Sequence, residues 1–150
     1  MKPQRDEPWA ARLVDVVGAA VDGEVKVTSI TPLAGGACQD NFRVELMFEG
    51  QAKVMVLRSD ARESLPGSIS RAEEFEVIGA AVRAGVPTPP ARWLTADLLR
   101  LGSYAYLLEW RDGVAIGAKV LRDPGLAAAR ERLVDQLADE PLASAWVAVA

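Results

Sequence analysis

Apolar residues recur with two different periods along this chain, and the change of period separates predicted helices from predicted strands. At residues 8–21 they recur every three or four positions, which predicts an amphipathic helix that Asp22-Gly23 ends. Residues 24–31 are rich in Val, Thr and Ile, and residues 42–48 alternate between apolar and polar side chains. Both of these segments are therefore predicted strands.

The middle of the chain predicts a hairpin followed by a helix. A turn at Glu49-Gly50 precedes a strand-like segment at residues 53–58, and two strands joined by so short a turn form an antiparallel hairpin. Ser70-Arg71-Ala72-Glu73 fits a capping box, which predicts a helix from Ser70 to about residue 84.

The last third of the chain predicts further strands and a final helix. Residues 104–110 are apolar and aromatic and predict a buried strand, while residues 93–94 and 98–101 predict short strands. Residues 126–138 predict an amphipathic helix. Hairpin-linked strands with one inserted helix indicate an α+β fold, in which we expect helices on one side of an antiparallel sheet.

The composition excludes several classes of function. The 150 residues contain 17 Lys and Arg against 21 Asp and Glu, so we expect no general affinity for nucleic acid. The absence of histidine excludes Ser-His-Asp and Cys-His catalysis and His-containing zinc sites built from this chain alone. A single cysteine excludes an intramolecular disulfide. A polar beginning and the lack of a long apolar stretch predict a cytoplasmic protein that does not enter a membrane.

The loop between the first two predicted strands is the first candidate for chemistry. Glycines allow backbone N–H groups to approach a phosphate closely, and Gly35-Gly36 lies in this loop. The loop matches neither the dinucleotide fingerprint nor the P-loop, and an ordinary turn is the alternative.

A charge pair is the second candidate. At 100° per residue, the residues within about 60° of Ile78 on the predicted helix are Arg71, Glu74, Phe75 and Val82. Glu74 therefore lies on or beside the packed face, where a carboxylate needs a partner. Arg58, at the end of the third predicted strand, could supply it. In the alternative, Glu74 pairs with Arg71 or reaches solvent.

The third candidate is the end of the last predicted strand. Residues 107–113 pass from an apolar strand into the polar turn Arg111-Asp112-Gly113. The backbone there could offer donors and acceptors to a planar ligand. The alternative is a core strand followed by a turn without a ligand.

Four motifs follow one another in a fixed order. They are Val56-Leu57-Arg58, Arg71-Ala72-Glu73-Glu74-Phe75, Gly85-Val86-Pro87-Thr88-Pro89 and Tyr106-Leu107-Leu108-Glu109-Trp110-Arg111-Asp112-Gly113. Together with the glycine-containing loop, this order resembles the N-terminal lobe of the aminoglycoside phosphotransferase family, which are kinase-like small-molecule phosphotransferases. The resemblance covers residues 26–138. It implies a kinase-like lobe at residues 24–113, an N-terminal helix within residues 1–23, and a linking helix with an atypical tail at residues 114–150.

The resemblance also implies a role for each candidate residue, with ATP as the ligand. The loop over the ATP phosphates would include Gly35, Gly36, Ala37, Cys38 and Asn41. Arg58 would contact a phosphate, and Glu74 would hold Arg58 in position. The segment that meets adenine would include Glu109, Trp110 and Arg111. Many kinases carry Lys at the position of Arg58, but a guanidinium also binds phosphate and carboxylate.

Family members continue into a C-terminal lobe that this sequence does not match. That lobe carries a His-Gly-Asp loop and an Asp that holds magnesium, whereas this chain has no histidine, and its residues after Glu140 no longer resemble the family. We expect no catalytic or metal-binding residues here, no phosphotransfer by the chain alone, and contacts with a small hydroxyl-bearing substrate only in a complete enzyme. The alternatives are a stand-alone binding or regulatory module that self-associates through Leu126–Ala150, or an unrelated α+β domain.

Overall fold

The computed structural model describes residues 8–33, 39–61, 67–113 and 116–139. Within them the chain forms an α+β fold in which five strands make one antiparallel sheet. The strands are β1 (Lys26–Pro32), β2 (Gln39–Phe48), β3 (Gln51–Asp60), β4 (Ala91–Ala96) and β5 (Tyr104–Glu109), in the spatial order β1-β2-β3-β5-β4. The helices are α1 (Ala10–Gly18), α2 (Arg71–Arg83), α3 (Gly117–Arg122) and α4 (Ala127–Asp139).

The β2–β3 hairpin confirms the predicted turn. Phe48 faces Gln51 across the pair, so Glu49 and Gly50 are the two loop residues. Both have positive φ, 51° and 69°, as a two-residue type I′ turn requires. This turn matches the natural twist of the strands and sets the register of the whole pair.

The two faces of the sheet carry different helices. Phe42, Leu57 and Leu107 lie side by side across three strands, and Trp9 at the start of α1 packs on Phe42 with ring centroids 5.1 Å apart. Arg58 and Tyr106 occupy the next position along their strands, so they face the opposite side. There Phe75 of α2 meets Tyr106 edge-on at 5.8 Å.

The prediction that the helices lie on one side of the sheet is therefore wrong. The main core fills the α1 side, where Leu13 and Val17 are fully buried with Ile30 and Val44. The physical reason is visible in β3, where residues 54–57 are all apolar and do not alternate. A continuous apolar run is typical of a strand covered on both faces.

The start of α2 confirms the predicted capping box. The Ser70 hydroxyl accepts from the Glu73 N–H at 3.2 Å, and the Glu73 carboxylate accepts from the Ser70 N–H at 2.7 Å. These hydrogen bonds hold the pKa of the Glu73 carboxyl below its ordinary value. Gly85 follows the helix with a φ of 82°, a conformation that favours glycine. The cap fixes which residues of α2 face the sheet.

One prediction about the packed face of α2 is wrong. The sequence placed Val82 on the packed face, but Val82 is 37% exposed, and the buried residue of the helix is Arg71. The first turns of α2 contact the sheet through the ion pairs described below and through Phe75, which meets Tyr106 of β5.

The strand predicted at residues 98–101 is also wrong. This segment is the connection between β4 and β5, which run antiparallel as neighbours and need a reversal of the chain. The Asp97 N–H donates to the Ser103 carbonyl at 2.8 Å, and the Asp97 carboxylate accepts from the Gly102 N–H at 2.6 Å. Leu98 is buried beneath this loop, whereas Leu101 is 92% exposed.

The edge strand β4 contains an irregularity. Its register with β5 shifts between Arg92 and Thr95, and Trp93 within this bulge has a φ of 55°. Positive φ is unusual for a bulky residue. The Trp93 ring is held edge-on against Phe48 at 5.7 Å, on the core side of the sheet.

The chain continues past the sheet into helices. The short helix α3 was not predicted, while α4 confirms the predicted final helix. Arg130 of α4 donates to the Val120 and Asp123 carbonyls at 2.9 and 2.8 Å and so joins the two helices. None of the helices formed by the described residues is long and apolar enough to cross a membrane. Residues 140–150, which were predicted to contribute to self-association, lie outside the described residues.

Truncation of Leu13 tests the packing of α1 on the sheet. We expect Leu13→Ala to lower the free energy of unfolding by about 2–4 kcal/mol, because it leaves a cavity in the core. Leu101→Ala is the matched control, and its exposed side chain should change stability by less than about 0.5 kcal/mol. Chemical denaturation gives both values, and equal values would contradict the assignment of this face as the core.

Candidate functional site

An ion pair joins β3 to α2 on the side of the sheet away from α1. The Arg58 guanidinium lies 3.0 Å from the Oε1 atom of Glu74, and the two side chains are 23% and 18% exposed. The predicted pairing of Arg58 with Glu74 is confirmed. It arises because the position of Arg58 along β3 turns its side chain toward α2, and the cap at Ser70 turns Glu74 toward the sheet.

The alternative partner is present at the same time. The Nη1 atom of Arg71 lies 2.5 Å from the Oε2 atom of Glu74, and the Arg71 side chain is only 6% exposed. The Tyr106 hydroxyl donates to the same oxygen at 2.7 Å. Glu74 is therefore a shared acceptor between two cations and a phenol.

Asp60 completes this network at the other end. One of its oxygens accepts from the backbone N–H of Arg71 at 2.9 Å and lies 3.6 Å from the Arg71 Nε. The other oxygen accepts from the Tyr104 N–H at 2.8 Å. A single carboxylate thus ties the first residue of α2 to β3 and to the beginning of β5.

The network is balanced in charge but unevenly exposed. Two guanidinium groups face two carboxylates, which satisfies the requirement that buried charges be paired. Arg58 is the more exposed of the two cations, so solvent and any anion in it reach the network at Arg58. Burial raises the pKa of Tyr106, and its hydrogen bond to Glu74 raises it further, so the phenol remains a donor.

The sequence analysis did not predict two members of this network, Asp60 and Tyr106, and it named Arg71 as an alternative partner without predicting that Arg71 is buried. Two signals were available. Asp60 stands two residues after Arg58 on the same strand and hence on the same face. Tyr106 carries a hydroxyl group within an otherwise apolar strand, and a buried phenol needs a hydrogen-bond partner.

A strip of half-buried side chains leads away from Arg58 along the same face. Asn41 lies opposite Arg58 in the sheet, and Arg43 lies opposite Val56. The Oδ1 atom of Asn41 is buried and has no hydrogen-bond partner among the described residues. The strip ends where the Arg43 guanidinium lies over the Trp110 ring, 5.4 Å from its centroid. The strip therefore joins polar groups beside Arg58 to an aromatic ring, and Arg43 at the aromatic end also pairs with Glu45.

The predicted ring-binding segment is held by its own contacts. The backbone N–H of Trp110 donates to the Val54 carbonyl at 3.1 Å, and its indole N–H donates to the Asp112 carboxylate at 2.8 Å, so both donors are occupied within the chain. Glu109 pairs with Arg92 at 3.0 Å and with Arg111 at 3.2 Å. These contacts place Trp110 at the end of the strip and join the side chains of Glu109 and Arg111 to each other.

Other candidate residues and spaces lie elsewhere. Gly35, Gly36, Ala37 and Cys38 fall outside the described residues, so their predicted phosphate contact stays a prediction. A groove of about 440 Å³ touches Glu109 and Trp110 but not Arg58 or Glu74. Among the described residues there is no cluster of three or more His, Cys, Asp or Glu that could hold a metal ion.

No known family model matches this sequence, and no curated protein matches it.

Neutralising Glu74 tests the energetic weight of the network. We expect Glu74→Gln to lower the free energy of unfolding by about 1–3 kcal/mol, because it leaves two cations without their shared charge, reduced by partial solvent exposure. Glu76→Gln is the matched control, since Glu76 is exposed on the same helix. If both changes cost the same in a urea titration, the network contributes nothing specific.

The raised pKa of Tyr106 predicts a pH dependence. The folded protein resists ionisation of Tyr106. The contribution of Tyr106 to the free energy of unfolding is therefore fully present below the ordinary tyrosine pKa near 10, and it is lost as the pH rises above that value. We expect Tyr106→Phe to remove part of this alkaline loss, whereas the matched change Tyr104→Phe should keep it. Unfolding free energies measured across the alkaline range decide between the two. The same alkaline loss in both variants would show that Tyr106 is not the group responsible.

Proposed function

We propose that this chain is the nucleotide-binding lobe of an ATP-dependent, kinase-like small-molecule phosphotransferase of the aminoglycoside phosphotransferase type. The observation that carries the proposal is the Arg58–Glu74 ion pair between a central strand and α2. A strand cation held by a helix carboxylate is the arrangement that kinases use to position the phosphates of ATP.

The dimensions of the strip support a nucleotide as the ligand. Arg58 lies four residues after Val54 on β3, which is about 13 Å along the strand, and the Val54 carbonyl accepts from the backbone N–H of Trp110. Phosphates at the Arg58 end and a base at the Trp110 end fit this length. The side-chain amide N–H groups of Asn41, which lies opposite Arg58, would donate to the phosphates, and the predicted contacts of Gly35, Gly36, Ala37 and Cys38 would complete this end.

The chemistry that these residues can perform is binding and orientation. The guanidinium of Arg58 can form two parallel hydrogen bonds to a phosphate group, and Glu74 fixes its direction. Transfer of the γ-phosphoryl group to a substrate hydroxyl also needs a residue to position that hydroxyl and carboxylates to hold magnesium. The described residues do not offer a fitting metal cluster. We assign those parts to a second lobe, which would also contact the small hydroxyl-bearing substrate.

A binding or regulatory module with the same fold is the second candidate. Ile116 and Leu121, beside and within α3, are 68% and 71% exposed and present apolar surface after the sheet. Such surface is typical of an interface with another domain or protein. This candidate requires a partner at α3 and does not require a nucleotide at Arg58, so nucleotide binding separates the two.

Nucleotide binding by the 150-residue chain tests the first proposal. We expect ATP to shift the backbone amide signals of Asn41 and Arg58 and the indole signal of Trp110 in a two-dimensional NMR titration. Arg58→Met should weaken this binding at least tenfold, because a charge-assisted contact to phosphate contributes about 1.5–3 kcal/mol.

Arg132→Met provides the matched control, since Arg132 is exposed on α4 and far along the chain from the strip. It should bind ATP as the unaltered chain does. Shifts that are scattered over the surface, or equal binding by the Arg58 and Arg132 variants, would overturn the proposed function.

A further inference from the structure

The two oxygens of the Glu74 carboxylate are held by different partners. Oε1 faces Arg58 at 3.0 Å, whereas Oε2 faces Arg71 at 2.5 Å and accepts from the Tyr106 hydroxyl at 2.7 Å. In an isolated ion pair, the carboxylate would no longer be held in place when its cation moved away. Here one oxygen is anchored without any contribution from Arg58.

The anchoring cation is itself fixed in place. The Arg71 side chain is almost completely buried, and one of its guanidinium nitrogens donates to the Ile69 carbonyl at 3.1 Å. Its backbone N–H donates to Asp60, which also accepts from β5. Arg71 is therefore held at the end of β3 and at its own helix turn, while Arg58 is the more exposed of the two arginines.

We infer that Arg71 is a positioning residue that holds Glu74 and the start of α2 against the sheet, leaving Arg58 able to turn toward an anionic ligand. The nature of that ligand, a nucleotide phosphate, rests on the proposed function. The anchoring itself rests on the contacts of Arg71 alone.

The charge balance explains why a second arginine is useful at this position. When a cation leaves a partly buried carboxylate, the uncompensated charge is strongly unfavourable. With Arg71 in place, Glu74 keeps a neutralising partner while Arg58 engages phosphate. Ligand binding then does not require α2 to leave the sheet or Glu74 to be exposed to water.

The test compares matched arginine variants by thermal unfolding. We expect Arg71→Met to lower the melting temperature by roughly 5–10 °C, as a loss of a few kcal/mol does in a chain of this size. Arg58→Met should lower it by less than half as much, since Oε2 keeps its partners. Arg71→Lys restores the positive charge without the planar guanidinium group, so it should recover part of the loss. This variant stays informative if Arg71→Met does not fold.

A second measurement separates a positioning role of Arg71 from a purely structural one. It is the binding of ATP and of inorganic triphosphate, measured well below each melting temperature. Arg58→Met should lose affinity, and among the α2 signals only those near Glu74 should shift. Arg71→Lys should retain triphosphate binding, weakened by several-fold, with signals shifted from Arg71 through Glu74.

Two results would overturn the inference: an Arg58 variant that is destabilised as much as the Arg71 variants, or Arg71 variants with unchanged α2 signals and affinity. If the unaltered chain binds neither ATP nor triphosphate, the proposed function fails, and so does the part of the inference in which Arg58 turns toward an anionic ligand. The order of melting temperatures still decides whether Arg71 is the anchor.

Discussion

A carboxylate placed between a helix and a sheet must be neutralised where it lies, and the position of Glu74 imposes this constraint on the structure. It is met by cations from two elements, Arg58 from β3 and Arg71 from α2 itself, and by the Tyr106 hydroxyl from β5. Because each donor comes from a different place, the carboxylate fixes the distance and the rotation of α2 relative to two strands. The apolar contact of Phe75 with Tyr106 then closes the same interface.

The two faces of the sheet carry different kinds of contact. The α1 side carries the main apolar core, including the fully buried Leu13, Val17 and Leu57. The α2 side carries the ion network and the half-buried strip from Asn41 to Trp110. Charged groups on the second face can therefore serve a ligand without weakening the first, because successive residues of one strand project to opposite sides.

Local patterns predicted the local structure well. The capping box at Ser70 and the two-residue hairpin turn follow from a few neighbouring residues, and the pairing of Arg58 with Glu74 follows from helix periodicity and strand position. The exposure of Val82 and the connection at residues 98–101 depend on which elements meet, and one strand or helix alone does not encode this. Asp60 was missed for the same reason, since its partners are 11 and 44 residues away along the chain. The helices on both sides of the sheet did have a local signal, the apolar run at residues 54–57.

The bulge at Trp93 has a consequence for the sheet as a whole. An edge strand exposes backbone N–H and C=O groups that can pair with another chain and begin aggregation. The shifted register of β4 and the positive φ of Trp93 interrupt the regular ladder on this edge. The Trp93 ring packs inward on Phe48 and so ties this interruption to the core, and another chain that paired with β4 would have to follow an irregular edge.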